Sequence, residues 1–271
     1  MRKILRACRN VVYQSLIRAM WKDYAFRYFV VESATSSHPY DLRYARGQLT
    51  RMTIDEQLFF RFIINHSNDS YSLGAQDLWC LYESKEARNR FFVEFGATDG
   101  IKINNTALME KQYGWKGILA EPNPVWHEAL VKNRSASVDT RCVHNATGQV
   151  VEFFNADSPE YGGIVEKGLQ NSGRKLGIRG NVIKVRTVSL NDLLESHSAP
   201  ANIDFMSVDT EGSEYEILRA FDFRKWNVEM FTIELGPVEK DLAIDRLMME
   251  NGYMRRFENF SGDDAWYKKT E

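Results

Sequence analysis

The stretch that most constrains this chain is residues 91 to 100, Phe91-Phe92-Val93-Glu94-Phe95-Gly96-Ala97-Thr98-Asp99-Gly100. A short apolar run with no polar alternation fits a strand covered on both faces, as in a parallel sheet, and here it ends abruptly in a glycine turn. Gly96 and Gly100 let a backbone turn tightly and approach a bound molecule, while Glu94 and Asp99 add acceptors but no positive charge. That balance suits a cationic or hydroxyl-rich ligand better than a phosphate. Neither the G-x-x-x-x-G-K-[ST] phosphate loop nor the G-x-G-x-x-G dinucleotide fingerprint is present.

In a doubly wound sheet an adenosine ribose is held by a carboxylate that ends the next strand. After a helical stretch from Asn104 to Tyr113, the short apolar strand Gly117-Ile118-Leu119-Ala120 runs into Glu121, and Pro122 stops it there. The spacing from Gly100 to Glu121, roughly twenty residues, is the one such a site uses. The two features together predict an adenosine-type cofactor site.

At this point the chain resembles the FkbM-like family of S-adenosylmethionine-dependent methyltransferases. The resemblance runs in order through Val93–Gly100, Asn105-Thr106, Gly114–Pro124, Val185–Leu194, Ile203–Glu214 and Thr232-Ile233-Glu234, with Leu235 where members often carry His. It covers about residues 75 to 268. It implies an α/β class I methyltransferase (Rossmann-like) fold, mostly parallel with helices on both faces, and S-adenosylmethionine as cofactor. On that resemblance the cofactor contacts fall on Glu94, Gly96, Ala97, Asp99, Gly100, Asn105, Glu121, Pro122 and Asp209, with Asn145 and Ala146 where the family closes over the adenine. It does not identify the acceptor, although the family's acceptors suggest a hydroxyl on a sugar, a cell-surface glycan or a related natural product.

A 271-residue chain has room for one large α/β domain with an extension. We expect residues 1–75 to form a helical N-terminal extension and 76–271 the cofactor-binding domain. A formal charge of −2 gives no clustered basic excess, so nucleic acid is not an expected partner. Three widely spaced cysteines outside any C-x-x-C pair point to a reducing compartment. No apolar run is long enough to span a bilayer and the first residues lack the pattern of a secretory signal, so a cytoplasmic protein is expected. Residues 1 to about 30 form a basic amphipathic segment, with Leu5, Cys8, Val12, Leu16 and Met20 at helical spacing. It suits packing on the domain or on a second copy, or peripheral contact with an anionic membrane.

Further along, Ile54 to Asn65 reads as a helix burying Leu58, Phe59, Phe62 and Ile63. Residues 138 to 145 read as a third strand, and Gln149 to Phe154 as an exposed one. The glycine-rich stretch 155–181 reads as an acceptor-side lid. Two later strands end in acids. Ile203–Val208 leads to Asp209, Glu211 and Glu214, and Val228–Ile233 to Glu234, and all should face the cleft beyond the strand ends. Tyr253–Glu258 and Ala265–Lys268 read as a closing hairpin.

A sugar hydroxyl is a poor nucleophile while protonated, so the site needs a base: Asp209 first, Glu234 second. Alternatively Asp209, Glu211 and Glu234 gather a divalent cation that polarises the hydroxyl. The sequence leaves base and metal open. A different class also stands, a non-catalytic scaffold binding S-adenosylmethionine or a glycan. Intact Gly96, Gly100, Glu121, Asp209 and Glu211 favour an enzyme.

Overall fold

The computed structural model describes residues 52–165, 177–236 and 238–270. The basic amino-terminal segment lies outside them, as does the middle of the glycine-rich stretch. The chain begins with helices α1 (Ile54–His66) and α2 (Gln76–Glu83), followed by β1 (Phe91–Phe95), α3 (Ala107–Tyr113), β2 (Lys116–Ala120), α4 (Pro124–Asn133), β3 (Ser137–Asp139) and β4 (Cys142–His144). Then come β5 (Val150–Ala156), β6 (Gly163–Ile164), β7 (Gly180–Ser189), α5 (Leu190–Ser196), β8 (Asn202–Val208), α6 (Glu214–Leu218), β9 (Asn227–Glu234), α7 (Val238–Glu250), β10 (Tyr253–Arg256) and β11 (Asp264–Lys269).

The main sheet has the order β10-β11-β9-β8-β1-β2-β3. Strands β9, β8, β1, β2 and β3 are parallel, and β11 runs antiparallel between β9 and β10. The strand order reverses between β1 and β8, the switch point at which open α/β sheets bind ligands. This is the class I methyltransferase arrangement that the resemblance implied, closing hairpin included. Alternate residues of the central strands feed two cores. Val93, Phe95, Ile118, Met206, Val208 and Phe231 pack under α5, α6 and α7, while Phe92, Leu119, Phe205, Met230 and Trp266 pack under α1, α2 and α3.

Helix α1 starts with a reciprocal Thr53/Glu56 capping box. Its Phe59 sits 4.7 Å from Phe257 and 5.9 Å from Trp266, ring centre to ring centre, so it shares the second core with the closing hairpin. Leu58, expected to be buried, is half exposed because Phe59 and Ile63 carry the packing face. The stretch read as one strand over 138–145 is two. Strand β3 ends the main sheet, whereas β4 turns away to pair with β7 in a second sheet, β4-β7-β5-β6. Arg141 caps the turn between them, its backbone N–H and guanidinium both donating to Asp139. Strand β5, expected to be exposed, buries Phe153 and Phe154 against its neighbours in that second sheet.

Candidate active site

The carboxyl ends of β1, β2, β8 and β9 open into a cavity of about 750 Å³, roofed by β4, the strap Pro159–Ile164 and the turn before β11. That volume is within the range of ordinary small-molecule sites. From one end to the other its floor carries Glu121, Gly96, Asp209, Glu234 and Asp264, one from each strand terminus in sheet order.

At the β2 end, Glu121 is 4% exposed, and its two carboxylate oxygens accept the backbone N–H groups of Thr98 (2.9 Å) and Asn123 (2.8 Å). Burial pushes its pKa up to about 7. The ring of His127 bonds the Glu121 carbonyl at 2.8 Å, which fixes the strand end carrying that side chain. Pro122 lines the cavity beside it, as do Cys142, Val143 and Phe153 from the second sheet. Cys142 and Val143 lie on β4, which the sequence merges with β3, and Phe153 lies on β5, which the sequence reads as exposed.

Over the β1 end, Gly96 has φ +84°. Asn105 stands at the wall, its Nδ2 donating to the Ser207 hydroxyl at 2.9 Å, while its Oδ1 is buried with no protein partner. An orphaned acceptor on a cavity wall is costly unless a ligand donor meets it. Backbone strain also gathers here. Thr98 (φ 50°), Ile103 (φ 49°) and Glu211 (φ 59°) are left-handed non-glycine residues, and all three line the cavity. Such residues cost on the order of 1–3 kcal/mol each and cluster at ligand sites.

Several residues expected at the cofactor are used for other purposes. Glu94 points away from the cavity into a buried network. It accepts the Asn105 N–H at 2.8 Å and the Thr106 hydroxyl at 2.5 Å, with Arg134 at 4.0 Å. Asp99 caps its own turn, accepting the N–H groups of Ile101 and Lys102. Gly100 is a glycine because of packing, since a Cβ there would meet Arg134 Cγ at 2.5 Å. Ala97 is fully buried beneath the loop. Asn145 and Ala146 follow β4 but do not line the cavity, where Cys142 and Val143 stand instead. The turn Gly96–Gly100 must be held rigid before it can hold anything else, and Glu94 behind it and Asp99 within it do that.

At the β8 and β9 ends, Asp209, Glu211 and Glu234 bring carboxylate oxygens within 4.8 Å of one another. Glu234 also accepts the Glu211 N–H at 3.1 Å. Burial, followed by the charge of neighbouring carboxylates, raises both Asp209 and Glu234 well above the usual range. Each charge disfavours ionisation of the other, so the two acids titrate as a pair. Glu214, expected in the cleft, instead staples the loop by accepting from Thr210 N (2.9 Å), Thr210 Oγ1 (2.7 Å) and Gly212 N (3.1 Å).

Two further features were invisible in the sequence. Asp264, at the start of β11 and in register opposite Glu234, is bonded by Gln76 Nε2 and has its pKa raised to about 7 by burial. Lys102 on the cofactor-side loop and Glu160 on the strap form a 3.0 Å ion pair across the cavity wall.

This fold and site define a methyltransferase-type cleft: a class I sheet with a buried carboxylate at one strand end and a cluster of acids at the switch-point strand. The sequence profile of the methyltransferase FkbM domain matches residues 94–255, more than half of the chain, and the protein belongs to that methyltransferase family. Among curated proteins none matches the sequence. Similar solved structures include a Pyrococcus horikoshii protein assigned as an RNA methyltransferase, at 11% identity and TM-score 0.39, covering 73% of this chain and 83% of that one. Others are a precorrin-6y C5,15-methyltransferase from Geobacter metallireducens (13%, 0.34, 70% and 83%) and MtNAS in complex with MTA and tNA (13%, 0.33, 95% and 76%). Scores this low carry over no function, and the fold assignment stands on the strand order above. Among the described residues no helix is long and apolar enough to cross a membrane.

Proposed function

We propose that this protein transfers a methyl group from S-adenosylmethionine to a hydroxyl of a sugar or glycan. The observation that carries the reading is the convergence of Asp209 and Glu234 beside Gly96, in the same cavity as Glu121. The residues present fit the cofactor. Glu121 keeps lone pairs free for two ribose hydroxyls after accepting its backbone N–H groups, and Asn105 Oδ1 offers an unmatched acceptor for the cofactor's ammonium group. S-adenosylmethionine supplies an electrophilic methyl on a sulfonium, so the protein's tasks are alignment and proton removal.

Asp209 is the base in this reading. A carboxylate whose pKa is raised by burial is a stronger proton acceptor, and Asp209 titrates as a pair with Glu234. A second reading is supported by the same geometry. Oxygens of Asp209, Glu211 and Glu234 within 4.8 Å of one another suit a divalent cation with ligand distances of about 2.0–2.6 Å, and such an ion would polarise the hydroxyl. Among the described residues no Lys, Arg or His lines the cavity, which argues against a nucleic-acid acceptor.

The test is release of S-adenosylhomocysteine from the purified protein over a panel of free sugars, glycosides and oligosaccharides. We expect release that depends on acceptor and time. Binding of S-adenosylmethionine with no release on any hydroxyl compound would transfer support to the scaffold alternative.

A further inference from the structure

The acceptor end of the cavity is walled by Asp209, Glu211, Glu234, Asp263 and Asp264, with Glu160 on the strap. Among the described lining residues no cationic side chain faces them, and Lys102, which pairs with Glu160, is not part of the lining. At the other end the orphaned Asn105 Oδ1, on a side chain only 7% exposed, is again an acceptor. Apart from Glu160, which Lys102 pairs, the charged side chains lining the cavity are all carboxylates, and with this buried neutral acceptor they suit a ligand that brings donors. The cofactor brings one surplus positive charge, which leaves room for a second cationic donor among those carboxylates that stay ionised.

Asp264 is presented in a way that a solvated surface acid is not. The Gln76 side chain accepts the Gly74 N–H at 2.8 Å through Oε1, which turns its Nε2 toward Asp264. A buried amide thus orients the carboxylate. Asp264 pairs in register with Glu234, one strand spacing away, so a ring whose hydroxyl lies at Asp209 and Glu234 presents its neighbouring substituent to Asp264.

We propose that the acceptor carries no negative charge and bears a protonated amine beside the reacting hydroxyl, as an amino sugar does, and that Asp264 held by Gln76 is the residue that reads that amine. The inference rests on the methyl-transfer reading of this cavity. It assigns the acceptor's charge class and makes Asp264 a specificity determinant with no part in proton removal. A uronic acid or a phosphorylated sugar meets only like charge there, and a neutral sugar satisfies Asp264 with a weaker, uncharged donor.

The test uses the protein saturated with S-adenosylhomocysteine, titrated by ligand-observed NMR with three methyl glycosides of one hexose: the 2-amino sugar, the neutral sugar and the uronate. The expected order is amine, neutral, uronate, with at least tenfold between the first and the last. Asp264→Asn should shrink the amine's advantage over the neutral sugar at least fivefold and leave S-adenosylmethionine affinity in place. Gln76→Ala keeps the charge but frees its carrier, and should give a smaller loss in the same direction, which covers the case of an Asp264→Asn protein that does not fold. Equal affinities, a preference for the uronate, no binding of any of the three, or a preference untouched by both variants overturns the proposal. So does an amine preference that disappears in millimolar Mg²⁺, because the carboxylates then belong to an ion. Calorimetry with S-adenosylmethionine separates the two levels: no cofactor binding removes the methyl-transfer reading itself, whereas cofactor binding with a flat sugar ranking removes only this inference.

Discussion

Gly96 and Asp209 meet backbone to backbone across β1 and β8: a Cβ on Gly96 would lie 2.2 Å from the Asp209 carbonyl oxygen. The contact places the turn after β1 directly against the strand end that carries Asp209, so the two halves of the site are one mechanical unit. Gly96→Ala must push them apart. Gly148 provides a control, because it has the same φ of +84° but nothing within 4 Å of the added carbon. Gly148→Ala should cost only the left-handed backbone term of about 1 kcal/mol, while Gly96→Ala should add about 1–3 kcal/mol of overpacking and weaken S-adenosylmethionine binding at least tenfold. Equal losses of melting temperature in the two variants would refute this coupling.

Arg134 closes the buried network behind the loop. Its guanidinium donates to Glu110, to the Gly100 carbonyl, to Asn104 and to Thr106, and lies 4.0 Å from Glu94. Arg134→Met keeps the bulk but strands Glu94 without a counter-charge, a change worth about 3–5 kcal/mol in comparable buried pairs. Denaturant unfolding should show the loss as a lower midpoint with the slope unchanged. A loss under 1 kcal/mol would mean that Glu94 is neutral in the fold and that Thr106 and the Asn105 N–H suffice to hold it.

The glycine loop, Glu121 and the strand-end acids were legible in the sequence because each signal is local: an apolar run, a turn residue and a carboxylate within one element. What was not legible is where a side chain goes once the loop closes. Glu94 and Glu121 look alike as acids flanking strand ends. Only the fold brings Arg134 and Thr106 to the first and leaves the second facing the cavity. Gln76 and Asp264 are 188 residues apart, and no spacing rule links them. The break between β3 and β4 was missed because both are three-residue strands with no glycine or proline in the turn between them, so periodicity had nothing to count.

The raised acids predict the pH dependence of stability. Burial lifts Glu121 from 4.5 to about 7 and Asp264 from 3.8 to about 7. A carboxyl with a folded pKa above its unfolded one binds more protons in the native state, so its contribution is full below about pH 4 and is lost as pH rises through 7. Asp139 shifts the other way: against its burial, the bonds from Arg141 and His197 hold it low, so its contribution is present above the unfolded value and fades only in acid. Between pH 5 and 8 the raised acids therefore decide the sign. The cofactor-free protein should lose stability across that window, by about 2.5 kcal/mol from Glu121 alone. Chemical denaturation at pH 5.5 and 8 measures it, and Glu121→Gln should flatten the slope. A wild-type stability that rises with pH would contradict the assignment.

Glu121→Gln also reports on the cofactor. It preserves shape but converts a charge-assisted acceptor pair into one oxygen and one amide, which should weaken S-adenosylmethionine by about 1.5–3 kcal/mol. Calorimetry of a folded variant with an unchanged dissociation constant would remove the ribose from this residue.

If the proposed methyl transfer holds, the decisive residue for chemistry is Asp209, which touches both the turn after β1 through Gly96 and the carboxylate of Glu234. Asp209→Asn keeps the contact with Gly96, which is made by the main chain, and removes the charge. Turnover on the true acceptor should then fall by about a hundredfold to ten-thousandfold with cofactor affinity nearly unchanged. Chelation separates the two versions of the role. A base is indifferent to chelator, whereas an ion held by Asp209, Glu211 and Glu234 is stripped, and activity returns only when a divalent cation is added back. Glu234→Gln refines the answer, since loss of the acid that titrates with Asp209 should shift the pH at which wild-type activity rises while leaving cofactor binding intact. Near-normal turnover of Asp209→Asn, with or without chelator, would leave neither version standing and would move the proposed proton acceptor to Glu234, the other acid of the pair.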